Sequence, residues 1–312
     1  MELTGIVIKS TGSWYIIRTD DGVIYNCKLK GKFKIKDLSS TNPVVVGDKV
    51  IFELVSNDFT GLISKILPRT NYIIRKSKNL SKLSQVIAAN VDNMLIICTL
   101  KLPETSQGFI DRLLFAAEAY HIKPTIVFNK IDLYEPELIE KLERIKTMYF
   151  RAGYPSLCIS AFRGDNIENL KTLMSGKTNL LTGHSGVGKS AILNTLQPEL
   201  NVKTNEISAM HLKGKHTTTF AEMHTLDFGA YIIDTPGIKE FSLIDFQKDE
   251  IAGYFPDIFP YEQGCRFKNC LHINEPGCAV KKAVEQENIH PSRYKSYLSI
   301  MQSDETDIKF DD

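Results

Sequence analysis

Gly183-His184-Ser185-Gly186-Val187-Gly188-Lys189-Ser190 fits the P-loop pattern GxxxxGK[ST] along its whole length. The preceding run, Thr178-Asn-Leu-Leu-Thr182, reads as a short buried strand, and residues 191–196 read as an amphipathic helix. That strand–loop–helix context is the one the motif needs. Its glycines let the backbone curl so that N–H groups point inward at a phosphate chain. The helix N-terminus adds partial positive charge at the same spot. Gly183 through Ala191 are therefore the expected phosphate-binding residues. Lys189 should reach the β- and γ-phosphates, and the Ser190 hydroxyl should ligate Mg²⁺.

Working outward, Asn129-Lys130-Ile131-Asp132 follows the apolar run 124–128, at the strand end where α/β proteins bind ligands. It matches the NKxD guanine-recognition motif. The Asp132 carboxylate can accept from both N1–H and the 2-amino group of guanine, an edge that adenine lacks. Asn129 would brace the loop, and the Lys130 stem would cover the base. Ser160-Ala161, after the next apolar run, resembles the loop that meets the guanine oxygen.

On the other side of the P-loop, Asp234-Thr-Pro-Gly237 fits DxxG. Asp234 would hold Mg²⁺ through water, and the Gly237 N–H would sense the γ-phosphate. Between them Gly214-Lys-His-Thr-Thr-Thr219 suits a switch loop with a Mg²⁺-binding threonine; Thr218 is the first choice, with Thr217 and Thr219 beside it. Where Ras-type enzymes place a water-orienting glutamine after the DxxG glycine, this chain has Ile238. His216 is the best candidate to orient or deprotonate the attacking water. The expected catalytic set is thus His216, Lys189 and Thr218. NKxD precedes the P-loop, the reverse of the ordinary order. Permutation moves only the chain ends, so the same sheet can form.

The flanks differ in texture. Residues 1–70 read as about five short β-rich runs with Gly and Asp turns, a small closed barrel of the OB type. Lysines alternate from Lys28 to Lys36, and residues 1–82 carry 14 Lys+Arg against 7 Asp+Glu in a chain of net charge +1. That asymmetry points to a polyanionic partner. A linker with Arg75, Lys76, Lys78 and Lys82 is expected next, within a doubly wound α/β domain at 71–240. Residues 241–312 lose the strand pattern and end in an acidic tail. Cys265-x4-Cys270-x-His272-x5-Cys278 offers four soft ligands in one short loop, a closed structural Cys₃His zinc site, with His290 as the nearest alternative ligand. No apolar run is long enough to span a bilayer and no signal peptide is visible, so a cytoplasmic chain with no membrane partner is expected.

Together these motifs resemble the circularly permuted GTPases of the RsgA (YjeQ) family, over nearly the whole chain. Lys215-His-Thr-Thr, Asp-Thr-Pro-Gly-Ile and Cys-Arg-Phe-Lys-Asn-Cys-Leu-His followed by Glu-Pro-Gly-Cys-Ala-Val carry the resemblance. It implies an OB barrel, a permuted P-loop GTPase domain and a zinc-binding helical domain. It also implies a monomer that grips the small (30S) ribosomal subunit and its rRNA late in maturation and hydrolyses GTP to GDP when stimulated by it. A competing reading, a P-loop ATPase or small-molecule kinase with a zinc appendage, is disfavoured by NKxD.

Overall fold

The computed structural model describes residues 2–30, 43–56, 59–76, 84–200, 221–234 and 247–303. They belong to two compact units, one drawn from residues 1–93, 168–181 and 190–241, the other from 94–167, 182–189 and 242–312.

The chain begins with β1 (Glu2–Ser10), β2 (Tyr15–Arg18), β3 (Ile24–Leu29), β4 (Lys49–Ser56) and β5 (Thr60–Ile66). β1 pairs antiparallel with β2 and β4, β2 with β3 and β4 with β5. The parallel pairing of β3 with β5 closes the ring into the expected barrel. Period-two alternation puts Val7, Tyr15, Ile17, Cys27, Val50, Phe52 and Ile63 in its core. Gly22 turns β2 into β3 at φ 86°, donating its N–H to Thr19 O at 2.9 Å. Val44–Val46 are buried but lie outside the barrel strands; Val46 makes an isolated bridge to Ala88, and a turn follows, closed by the Asp48 N–H to Val45 O at 3.2 Å. The buried Asp48 carboxylate pins it, accepting from the Val45 N–H at 2.9 Å and from Arg69 at 2.7 Å.

The expected linker is instead partly a hairpin. β6 (Tyr72–Lys76) pairs antiparallel with β7 (Ser84–Ala89), and Ile74, Val86 and Ala89 pack with Val45. Burial of those apolar groups outweighs the basic composition that suggested a linker; Lys78 and Lys82 lie outside the described residues.

Strands and helices then alternate: β8 (Asn93–Cys98), α1 (Gln107–Ala119), β9 (Lys123–Phe128), α2 (Pro136–Arg151), β10 (Ser156–Cys158), α3 (Ile167–Met174), β11 (Thr178–Thr182), α4 (Lys189–Leu196), β12 (Glu222–Thr225) and β13 (Tyr231–Asp234). In α2, Pro136 opens the helix, and Leu142, Ile145, Met148 and Tyr149 form its buried stripe. β9 runs parallel to β10, and β11 runs parallel to β13. β12, absent from the sequence reading, pairs antiparallel with β13 and touches the barrel at Lys9↔Glu222, where the side chains form a 2.8 Å ion pair.

Among residues 247–303 there is no strand, as expected. They hold α5 (Phe259–Glu262), α6 (Ala279–Glu285) and α7 (Pro291–Gln302). No described helix is long and apolar enough to cross a membrane.

Candidate functional site

Residues 183–189 of the P-loop, the NKxD segment and Ser160-Ala161 meet within one compact unit. Gly183 and Gly188 adopt φ 145° and 98°. A Cβ on Gly183 would meet Ile97 O at 2.3 Å, and one on Gly188 would meet Asn129 Nδ2 at 2.4 Å, so both positions require glycine. The Lys189 ammonium donates to Gly183 O at 2.6 Å and His184 O at 2.8 Å, which aims it back over the loop. The His184 ring is buried, with Nε2 2.7 Å from Thr105 Oγ1, and packs edge-on against Phe109.

Asn129 joins all three segments. Its Nδ2 donates to Val187 O in the P-loop at 2.9 Å, and its Oδ1 accepts from the Ala161 N–H at 3.1 Å. Lys130 stands at φ 61°, and its Nζ donates to Gly186 O at 2.7 Å and to Leu102 O, which stretches its stem between two loops. Burial lowers the Lys130 pKa from the ordinary lysine range, with Asp132 pulling the other way. Asp132 accepts from Ser160 Oγ, and that oxygen accepts from the Arg163 N–H at 3.0 Å. Ile131 begins a single 3₁₀ turn. Ser160 is fully buried and Ala161 nearly so. The arrangement brings the Asp132 carboxylate, the Ala161 amide and the Lys130 stem onto adjoining, mutually bonded loops.

Ser190 is the buried second residue of α4, followed by Ala191, and Asp234 is the last residue of β13. His216, Thr217, Thr218, Thr219, Gly237 and Ile238 lie outside the described residues, as do Lys32, Lys34 and Lys36. Lys28 and Lys30 are described: Lys28 lies 4.2 Å from the Trp14 ring centre, and Lys30 pairs with Glu53 at 2.8 Å.

Cys265, Cys270, His272 and Cys278 come together, their ligand atoms all within 4.8 Å of one another. Zinc bonds of about 2.3 Å to sulfur and about 2.1 Å to nitrogen in a tetrahedron set S···S near about 3.8 Å and S···N near about 3.6 Å. Cys265 and Cys278 sulfurs are 3.9 Å apart, and each is 3.5 Å from His272 Nδ1. The cluster fits a tetrahedral ion. Burial also pushes the Cys270 thiol up to about 12, raises the Cys278 thiol and lowers the His272 pKa. Backbone N–H groups of Ala279 and Lys281 already point at Cys265 and Cys278 sulfur, at 3.3 and 3.5 Å. His290 is not part of the cluster; its ring caps α7 by accepting from the Ser292 N–H.

Sequence reasoning missed three residues that hold these loops. Tyr134, two positions after NKxD, donates to Asn129 O at 2.9 Å and accepts from the Leu100 N–H at 2.8 Å; burial raises its pKa. Thr105 supports both His184 and the Thr99 amide. Glu275 gathers the amides of Leu271, Ile273 and Asn274 around the His272 turn.

A family model described as RsgA GTPase matches residues 66–244, and one described as RsgA N-terminal domain matches residues 4–63. A relative from Christiangramia forsetii, named small ribosomal subunit biogenesis GTPase RsgA, is 49% identical over 311 residues, 99% of each chain. One of the same name from Bacteroides fragilis is 50% identical over 97% of each. Among solved structures, YjeQ from Thermotoga maritima aligns with TM-score 0.80 and 32% identity, over 96% of this chain and 98% of that one. YloQ, described as a circularly permuted GTPase, aligns with TM-score 0.76 and 27% identity, over 96% and 94%.

Proposed function

The chain belongs to the RsgA GTPase family, and from that premise we propose that it hydrolyses GTP to GDP and phosphate in late maturation of the small (30S) ribosomal subunit. It binds the subunit and its rRNA, and the subunit stimulates turnover. The protein acts as a cytoplasmic monomer in three parts: an RNA-binding OB barrel at 1–70, the permuted GTPase domain at 71–240 and a zinc-binding helical domain at 241–312.

The observation that carries the nucleotide reading is Asn129, bonded at once to the P-loop carbonyl of Val187 and to the Ala161 amide. One side chain thereby fixes the distance between the phosphate loop and the base loops. Asp132 accepts from guanine N1–H and the 2-amino group. The Ala161 N–H, already bonded to Asn129, shares itself with O6 in a three-centre bond. The Lys130 stem covers the ring. Gly183 to Ala191 wrap the phosphates, and Lys189 reaches the β- and γ-oxygens. Ser190, Thr218 and Asp234 would hold Mg²⁺, which supplies charge neutralisation on the phosphate oxygens when bound. Gly237 senses the γ-phosphate, and His216 orients the water. Zinc held by Cys265, Cys270, His272 and Cys278 would contribute folding free energy to the C-terminal domain.

Phosphate release from GTP and from ATP, each with and without purified small subunits, tests the reading. It requires GTP turnover that rises with subunits and negligible ATP turnover. Comparable ATP turnover would favour the ATPase or kinase alternative.

A further inference from the structure

Residues 99–105 join β8 to α1, and no nucleotide motif marks them. Two buried threonines close this loop on itself. The Thr105 N–H donates to Thr99 O at 2.7 Å, the Thr99 N–H donates to Thr105 Oγ1 at 3.0 Å, and the Thr99 hydroxyl donates to Pro103 O. From that frame three bonds reach the nucleotide motifs. The Leu100 N–H donates to Tyr134 Oη at 2.8 Å, and Tyr134 Oη donates to Asn129 O at 2.9 Å. The Tyr134 N–H also bonds Ile131 O at 3.2 Å, so one tyrosine holds the short turn that carries Asp132. Leu102 O accepts from the Lys130 ammonium. On the phosphate side, Thr105 Oγ1 lies 2.7 Å from His184 Nε2, while His184 Nδ1 lies 3.0 Å from Ser185 O. A carbonyl oxygen can only accept, so Nδ1 carries the ring proton and Nε2 accepts from the Thr105 hydroxyl.

We propose that the 99–105 loop is an unmarked element of the guanine site, acting through two positioning residues. Tyr134, tied to the loop at Leu100, sets how well the base is discriminated. Thr105, tied to the P-loop at His184, sets how firmly the phosphates are held. The proposal rests on the guanine reading given above. Its physical basis is that Asp132 reads a base edge only while its turn is held in register, because hydrogen bonds weaken steeply with angle. The Tyr134 hydroxyl is buried between one donor and one acceptor, where such bonds are strongest. His184 O also accepts from Lys189, so the residue that Thr105 orients is the one that aims the P-loop lysine.

Titrations of the full chain with GDP and with inosine diphosphate test this. Inosine diphosphate keeps N1–H and O6 but lacks the 2-amino group, so it forgoes one Asp132 bond. The parent should prefer GDP. Tyr134→Phe removes one hydroxyl and keeps the ring; it should cut that preference about fivefold, the factor of a single hydrogen bond. Thr105→Val should weaken both nucleotides alike and keep the preference. Thr105→Ser, which retains the hydroxyl, should restore parent affinity for both. A ratio of affinities does not depend on the fraction of protein that is folded, so a destabilised variant still reports. If the parent prefers GDP and Tyr134→Phe keeps the full preference, this proposal fails and the guanine site stands. Thr105→Val binding both nucleotides like the parent would also overturn it. A parent with no preference would sink the guanine reading itself, and the proposal with it.

Discussion

Arg293 Nη1, on α7, lies 2.7 Å from Asp111 Oδ1, on α1, with both side chains fully buried although 182 residues separate them. Asp257 completes the arrangement with two bonds to the same guanidinium at 2.9 and 2.8 Å, and the Phe255 and Tyr154 rings flank it at 4.9 and 5.3 Å. Guanidinium geometry suits this forked pairing, and two carboxylates satisfy a charge that water no longer reaches. Asp111→Ala would strand part of that charge. Its expected cost is about 3–5 kcal/mol of unfolding free energy, measured by urea denaturation. A loss below about 1 kcal/mol would show that the pair contributes little.

The metal cluster predicts a separable loss. Chelation, or Cys278→Ser, should release one zinc per chain and abolish subunit association before it affects GTP binding, because the ion stabilises its own domain. Elemental analysis of freshly folded protein checks the stoichiometry. Absence of zinc there contradicts the assignment.

The barrel predicts salt-dependent binding. Lys28 carries its charge at the exposed Trp14 ring, whereas Lys30 is engaged by Glu53. Reversing Lys28, Lys32, Lys34 and Lys36 together should weaken subunit affinity and flatten its dependence on salt, read by co-sedimentation at several salt concentrations. Full binding by the reversed protein would leave these lysines as an ordinary solvated face.

How far the sequence could be read depended on how local each constraint is. The P-loop was legible because Gly183 and Gly188 are fixed by backbone conformation and close approach, which only glycine tolerates. α2 is written locally, since Pro136 marks its start and apolar spacing its buried face. The barrel strands followed from alternation. The β6–β7 hairpin was not legible, because its lysines suggested a linker and its core partner, Val45, lies far off in sequence. β12 was missed for a related reason: of its four residues only Met223 is buried, and pairing with β1 and β13 defines it. Within the site, motif residues were readable and their supports were not. Tyr134, Thr105 and Glu275 act through individual hydrogen bonds, two or three each, that no spacing announces.

Catalysis predicts a split between binding and turnover. Ile238 offers no polar side-chain atom where Ras-type enzymes carry glutamine, and the proposed mechanism therefore assigns water positioning to His216. His216→Ala should bind GTP with near-parent affinity and lose most subunit-stimulated phosphate release. Retained stimulation would move the catalytic group onto the subunit.

The central claim is that this permuted chain is a guanine-specific, subunit-stimulated hydrolase, with Asp132 reading the base. Asp132→Asn keeps an acceptor for N1–H and exchanges the other acceptor for a donor opposite the C2 substituent, where xanthine carries an oxo group in place of guanine's amine. Steady-state phosphate release by this variant, with GTP and with xanthosine triphosphate in the presence of small subunits, tests it most directly. The account predicts weak turnover of GTP and recovery of subunit-stimulated turnover with xanthosine triphosphate, a reversal of the parent's preference. Parent-like GTP turnover by the variant, with no gain on xanthosine triphosphate, would contradict it.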